Sequence, residues 1–125
     1  MRFLTNPSTD PWYNMSFDEY CLEQYPSNDC FFYLWRNRPS VIVGANQNVY
    51  TEVNLAFLEA NGILLARRVT GGGAVYHDLQ NLNYTIVGRD ASPEPVAEAL
   101  RTLGVPARRA GGHDGLVVFD RLVVF

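Results

Sequence analysis

Three consecutive glycines, Gly71-Gly72-Gly73, lie between apolar segments and are flanked by Arg67-Arg68 on one side and His77-Asp78 on the other. Glycine lets the backbone take positive φ and removes the side chains that keep a ligand away from backbone N–H donors. An adjacent arginine adds a planar fork of donors that matches a carboxylate or a phosphate. Leu64, Leu65, Val75, Leu82 and Ile86 surround the turn with apolar side chains. A glycine cluster alone reads as a turn. With two guanidiniums, one imidazole and the amides of Asn81 and Asn83 in the same span, it reads as a grip for an oxyanion.

The remaining elements follow from periodicity and from turn chemistry. Arg2 to Leu4 is an opening strand, and Asp10-Pro11 is a helix start, because the residue before proline is pushed to extended backbone and proline suits the first helical turn. Tyr13, Phe17, Tyr20, Cys21 and Gln24 fall on one helical face that should pack on a sheet, and Pro26 ends the helix. Cys30 to Trp35 and Ser40 to Val43 read as adjacent strands joined by a turn at Asn37-Arg38-Pro39. Asn54 to Ala60 reads as a short helix closed by Asn61-Gly62. Ile63 to Val69 and Ala74 to Tyr76 are strands flanking the glycine turn, and Asn83 to Val87 is another. Ser92-Pro93 opens a helix that runs to Gly104, and Leu116 to Phe119 and Leu122 to Phe125 read as two more strands. This order predicts an α+β domain, a mostly antiparallel or mixed sheet with packed helices.

At 125 residues, 47% of them hydrophobic, the chain suffices for one core and is short for two. A single domain over residues 1–125 is expected. Thirteen acidic residues against ten basic ones give a net charge of -3, which argues against a general attraction to nucleic acid or to anionic membrane. The two cysteines, Cys21 and Cys30, fit neither a redox pair nor metal-ligand spacing, and no metal site is expected. No signal-peptide pattern opens the chain, and no apolar run approaches the roughly 20 residues that cross a bilayer. A cytoplasmic protein is expected.

The longer string Arg67-Arg68-x-x-Gly71-Gly72-Gly73-x-Val75-x-His77-Asp78-x-x-Asn81-x-Asn83 resembles the signature of lipoate-protein ligases, relatives of biotin-protein ligases and octanoyltransferases. Asp10 to Glu19 resembles the first helix of that family, and Leu34-Trp35-Arg36-Asn37 and Val41 to Asn48 resemble its next two strands and their loop. The resemblance weakens after about Arg109. It implies a biotin/lipoate-protein ligase-like catalytic domain, of which this chain looks like an incomplete, N-terminal portion.

The implied reaction has two halves. Lipoate or octanoate is activated by ATP, with Mg2+ on the phosphates, to an acyl adenylate, and the acyl group then passes to a lysine of a lipoyl domain. The implied partners are the lipoyl domains of 2-oxoacid dehydrogenase complexes or the glycine cleavage H protein. By the same resemblance Arg68 contacts the acyl carboxylate or the adenylate phosphate, Gly71, Gly72 and Gly73 bring backbone donors to the ligand, His77 lines the pocket, and Asn81 bonds the carboxyl end. Trp35 is expected to line the acyl pocket in part, while Phe31, Tyr33, Val41 and Val43 read equally well as core. Asp114 is the remnant of an acidic position near the nucleotide.

Two features depart from the family pattern. Gln80 stands where a glycine is usual. All ten basic residues are arginine, so the lysine that the family places beside the activated carboxylate is absent and no catalytic residue is assigned. An octanoyltransferase, which needs no ATP, and a non-catalytic acyl-binding relic therefore stand as alternatives. ATP–pyrophosphate exchange with lipoate separates the ligase from both.

Overall fold

The computed structural model describes residues 2–24, 30–88, 92–109, 116–118 and 121–123. It opens with strand β1 (Arg2–Thr5) and helix α1 (Pro11–Gln24), followed by β2 (Phe31–Trp35), β3 (Ser40–Val43) and the short helices α2 (Val49–Glu52) and α3 (Leu55–Ala60). Strands β4 (Leu64–Arg67), β5 (Val75–His77) and β6 (Asn83–Val87) come next, then helix α4 (Glu94–Thr102) and strands β7 (Ala107–Arg109), β8 (Leu116–Val118) and β9 (Arg121–Val123).

These strands form three three-stranded sheets, ordered β1-β2-β6, β4-β3-β5 and β7-β8-β9. The first two are mixed: β1 runs parallel to β2 and β6 antiparallel to it, while β4 runs parallel to β3 and β5 antiparallel to it. The expected α+β architecture is present. One expected neighbour relation is not. β2 and β3 belong to different sheets, so the segment through Asn37 is a crossing between sheets rather than a hairpin turn. β4 and β5 flank β3 and do not pair with each other, so the glycines bridge the end of a strand lying between them. A short turn-rich link looks the same in sequence whether it reverses a strand or changes sheet.

Helix α1 begins where Asp10 and Pro11 place it. The Asp10 carboxylate accepts from the backbone N–H groups of Trp12 and Tyr13, both at 3.0 Å, which satisfies two donors left open at a helix start. Its packed face differs from the expected one. Pro11, Asn14, Met15 and Cys21 are buried, whereas Tyr13 and Tyr20 are exposed. Polar Asn14 and Asp18 lie in the inward stripe, and the exposed aromatics mimic an apolar face on the other side. Pro26, expected to end the helix, lies outside the described residues.

Phe31, Tyr33 and Trp35 alternate inward along β2, as the two-residue strand period dictates. They join Met15, Cys21, Ile42 and Ala66 in one core that draws on α1 and the two mixed sheets. The indole of Trp12 donates to Leu65 O at 2.8 Å, tying α1 to β4. Asn54 caps α3 by accepting from Phe57 N at 3.0 Å, and Gly62 with φ 63° follows its end. Helix α2 and strand β7 are additions to the expected elements. A second, smaller core joins Ala97 of α4 to Ala107 of β7, with Tyr84 packed against it.

The glycine segment rests directly on the loop after β3. A Cβ at Gly44 would stand 2.1 Å from Gly72 O, a backbone atom with no side-chain freedom to yield, whereas a Cβ at Gly71 meets nothing within 4 Å. Gly44→Ala is therefore expected to destabilise the protein by about 1–3 kcal/mol, the usual cost of forcing a methyl group into packed structure. Gly71→Ala should be neutral or slightly stabilising. Chemical denaturation of the two variants checks this, and equal midpoints would contradict the close approach.

Candidate functional site

Arg67 and Arg68 point to different loops, and each holds its loop by carbonyl oxygens. Arg67 Nη1 donates to Gly44 O at 2.7 Å, Gln47 O at 2.9 Å and Ala45 O at 3.2 Å, and Gln47 Oε1 in turn accepts from Gly44 N at 2.9 Å. Arg68 Nε and Nη2 both donate to Gly71 O, at 3.1 and 2.8 Å, while Nη2 also reaches Gly73 O at 2.8 Å. Its Nη1 reaches Ile42 O at 3.4 Å. A guanidinium has five N–H donors, so most of those on Arg68 brace the glycine segment. Gly72, with φ 99°, occupies backbone space that favours glycine, and a Cβ there would also meet the Arg68 guanidinium at 2.7 Å.

Beside this braced loop lies a cavity of about 220 Å3. Its apolar wall includes Met15 and Leu22 from α1, Trp35 from β2, Ile42 from β3, Val75 from β5 and Ile86 from β6. Polar groups enter the same wall: Arg68 and Thr70 from the glycine loop, His77, Asn83, Thr85 and Asp18. Arg68, His77 and Trp35 thus share one concave surface. Gly71, Gly72, Gly73 and Asn81 are not part of this wall. The glycines stand behind Arg68 as its acceptors or neighbours, and Asn81 is exposed, donating to Tyr76 O at 3.2 Å and closing the turn after β5. Asp114 lies outside the described residues.

His77 is buried against the edge of Trp35, with ring centroids 5.7 Å apart and planes at 65°. Its Nδ1 lies 3.1 Å from Asn37 Nδ2. Burial and the nearby positive charge of Arg68 push its pKa below the ordinary value, with Asp78 opposing them. A depressed histidine pKa contributes stability that is present above the unfolded value and lost as pH falls through the folded one. Trp35 Nε1 donates to Thr85 Oγ1 at 3.0 Å, and Thr85 Oγ1 donates to Asp18 Oδ1 at 3.0 Å. The Tyr33 phenol also donates to Asp18 Oδ1.

Of the cavity residues, Asp18 carries no signal in the sequence, and Asn83 enters there only as one amide of the span after the glycines. Asp18 looks like any helical carboxylate, and only the depth of α1 in the core reveals it. Asn83 is 4% exposed, and its Nδ2 has no hydrogen-bond partner among the described residues. Its place as the last amide of the Asn-x-Asn pair was the available signal. Among the described residues no group of three or more His, Cys, Asp or Glu side chains is arranged to hold a metal ion, and no helix is long and apolar enough to cross a membrane.

The pattern described as Lipoyl protein ligase A/B catalytic domain matches residues 10–123. The chain belongs to this family. It is 41% identical to Lipoate–protein ligase 1 of Staphylococcus aureus over 124 residues, which cover 91% of this chain and 38% of that protein. Among solved structures, P. falciparum LipL1 in complex with lipoate is similar with a TM-score of 0.86 at 29% identity, covering 97% of this chain and 41% of that one. A bi-partite lipoate protein ligase from Thermoplasma acidophilum, described together with its E2 lipoyl domain as an archaeal lipoylation system, gives a TM-score of 0.80 at 34% identity over 97% of this chain and 52% of that one. Lipoate-protein ligase A bound with ATP gives 0.83 at 30% identity, over 98% of this chain and 58% of that one. The chain spans about two fifths of the length of the curated relative it matches.

Within this family fold the half-buried Asp18 carboxyl has a distinct electrostatic signature. Burial raises its pKa from the ordinary 3.8, against the lowering effect of the Tyr33 and Thr85 hydrogen bonds. The folded protein therefore keeps a proton that the unfolded chain has released, and the stability from this group is lost as pH rises through the folded value. Asp18→Asn keeps an oxygen to accept both hydrogen bonds and removes the titration. The stability of the natural protein relative to Asp18→Asn is expected to fall as pH rises above the ordinary carboxylate value of 3.8, and a rise in urea titrations would contradict the assignment.

Proposed function

We propose that this chain is part of the catalytic domain of a lipoate-protein ligase and that the cavity beside the glycine loop receives the acyl chain of lipoate or octanoate. The observation that carries this reading is the composition of one wall: an apolar surface built by Met15, Trp35, Ile42, Val75 and Ile86 meets the Arg68 guanidinium and the His77 imidazole in a single cavity. An amphiphile with an apolar tail and one carboxylate complements such a wall, and each buried methylene contributes about 0.8 kcal/mol. Family membership and the lipoate-bound relative support the same ligand.

The activity follows from that ligand. ATP converts the carboxylate into an acyl adenylate with release of pyrophosphate, and the acyl carbonyl is then attacked by a lysine amine of a lipoyl domain, with AMP leaving as an amide forms. Mg2+ would arrive on the phosphates of ATP as part of the substrate. The ATP-bound relative and the relative described together with its E2 lipoyl domain support these two substrates. Lipoyl domains of 2-oxoacid dehydrogenase complexes and the glycine cleavage H protein are the partners proposed, in the cytoplasm.

Arg68 supplies positive potential at the cavity while it braces the loop, a role that needs no proton. The sequence contains no lysine, so the permanently charged side chains that it offers to the developing phosphate charge are arginines. A single preorganised donor at such a charge is worth roughly two to three orders of magnitude in rate. Activity supported by these 125 residues alone is therefore expected to be slow, and a lysine-bearing segment, whether continuous with them or from another chain, would raise it.

Isothermal titration with lipoate tests the reading. Saturable binding with a negative heat-capacity change is expected, as for burial of apolar surface. Arg68→Ala should weaken binding by about tenfold or more, the scale of a lost charge-assisted hydrogen bond. Arg101→Ala removes an exposed pair with Glu94 and should leave binding unchanged. Equal affinities for the two variants would overturn the role of Arg68. Lipoate binding without ATP–pyrophosphate exchange, but with transfer from an octanoyl carrier, would replace the ligase by an octanoyltransferase.

A further inference from the structure

His77 is the last member of a chain of buried side-chain amides. Asn6 Nδ2 donates to Asn14 Oδ1 at 3.0 Å. Asn14 Nδ2 lies 2.9 Å from Arg36 O, 3.2 Å from Ser8 O and 2.7 Å from Asn37 Oδ1. Asn37 Nδ2 lies 3.1 Å from His77 Nδ1. Asn14 is 1% and Asn37 0% exposed, so every unmade bond in this chain would be a desolvated loss.

The direction of each bond is forced. The carbonyl oxygens of Arg36 and Ser8 only accept, so the Asn14 atom facing them is its nitrogen. That nitrogen only donates, so the Asn37 atom facing it is the oxygen. The Asn37 amide nitrogen is left against His77 Nδ1, where it too only donates. Nδ1 must then present its lone pair, and the proton of the neutral ring sits on Nε2. Turning Asn37 over would set two amide nitrogens 2.7 Å apart, and turning Asn14 over would set its oxygen against two carbonyls. Backbone geometry thereby fixes an assignment that a lone amide or imidazole leaves open.

We infer that Asn14 and Asn37 are positioning residues that lock His77 as the neutral Nε2–H tautomer, making it an uncharged hydrogen-bond donor to an oxygen of the ligand in the cavity. Nε2 has no partner among the described residues, and the ring lines the cavity together with Asn83, whose buried Nδ2 also lacks one. A neutral donor suits this place, because Arg68 at the end of β4 already contributes a positive charge that Asp78 beside β5 opposes. The tautomer follows from the amide chain alone. The contact with an acyl oxygen rests on the proposed function.

Long-range 1H–15N correlation spectra of the histidine-labelled protein test both parts, with His77 identified by the signal that His77→Gln removes. The expected pattern at neutral pH is a pyrrole-type Nε2 and a pyridine-type Nδ1. A pyrrole-type Nδ1 would overturn the lock without any further variant. Asn37→Asp preserves the acceptor for Asn14 and replaces the donor facing Nδ1 by a carboxylate oxygen. It should protonate Nδ1, raise the pKa of His77 above the ordinary 6.5, and weaken lipoate binding by about tenfold. An unchanged His77 spectrum in a folded Asn37→Asp protein would also overturn the lock. Lipoate added to the natural protein should shift the Nε2 signal. Calorimetric binding without that shift would overturn the donor role while sparing the ligand, and no binding at all would overturn the proposed function and the donor role while leaving the tautomer standing.

Discussion

The bonds from the Arg68 guanidinium to the carbonyls of Gly71 and Gly73 hold the site in shape. A triple glycine has more backbone freedom to lose than any other three residues, so an ordered loop of this composition needs an outside restraint. Here the restraint comes from a charged group that cannot lose its proton, already fixed at the end of β4. Gly72 then lies against Gly44, and Arg67 holds the other side of that contact through Gly44 O. The consecutive arginines act as a pair. One fixes the loop after β3, the other the loop before β5, and the cavity opens beside their junction.

Buried polar groups explain why α1 packs as it does. Asn14 accepts one hydrogen bond and donates toward three acceptors, linking the segment before α1 with the crossing from β2 to β3. Asp18 receives Tyr33 and Thr85 from two strands of one sheet. Such groups stabilise little relative to an apolar replacement, but leaving any of them unpaired is costly, and this penalises other rotations of the helix. Polar specification of this kind runs against a simple count of hydrophobic positions.

That tension marks what could be read from the sequence. The helix start at Asp10-Pro11, the cap at Asn54, the alternation of Phe31, Tyr33 and Trp35 and the position of Gly62 are local chemistry, and each was legible. The partner of each strand was not, since the link through Asn37 changes sheets and the glycine segment spans a strand instead of turning back on itself. The grouping of Arg68, His77 and Trp35 at one cavity accords with their motif positions. Asp18 and Asn83 were hidden because their importance comes from depth and from the company they keep. The same holds for Asn37, which reads as a turn residue and proves to be fully buried beside the imidazole.

The order of the strands also bears on how the cavity comes into being. Strands β3 and β5 pair across residues 40–77, and that closure is nested inside the pairing of β2 with β6 across residues 31–87. Both are long-range closures, which form late and slowly in a folding chain. The cavity draws its wall from all four strands, so no partly folded intermediate lacking either closure offers a complete binding surface. A ligand that needs the whole wall recognises only the finished fold, and its binding energy adds to the cooperativity of the entire two-sheet unit rather than to one loop.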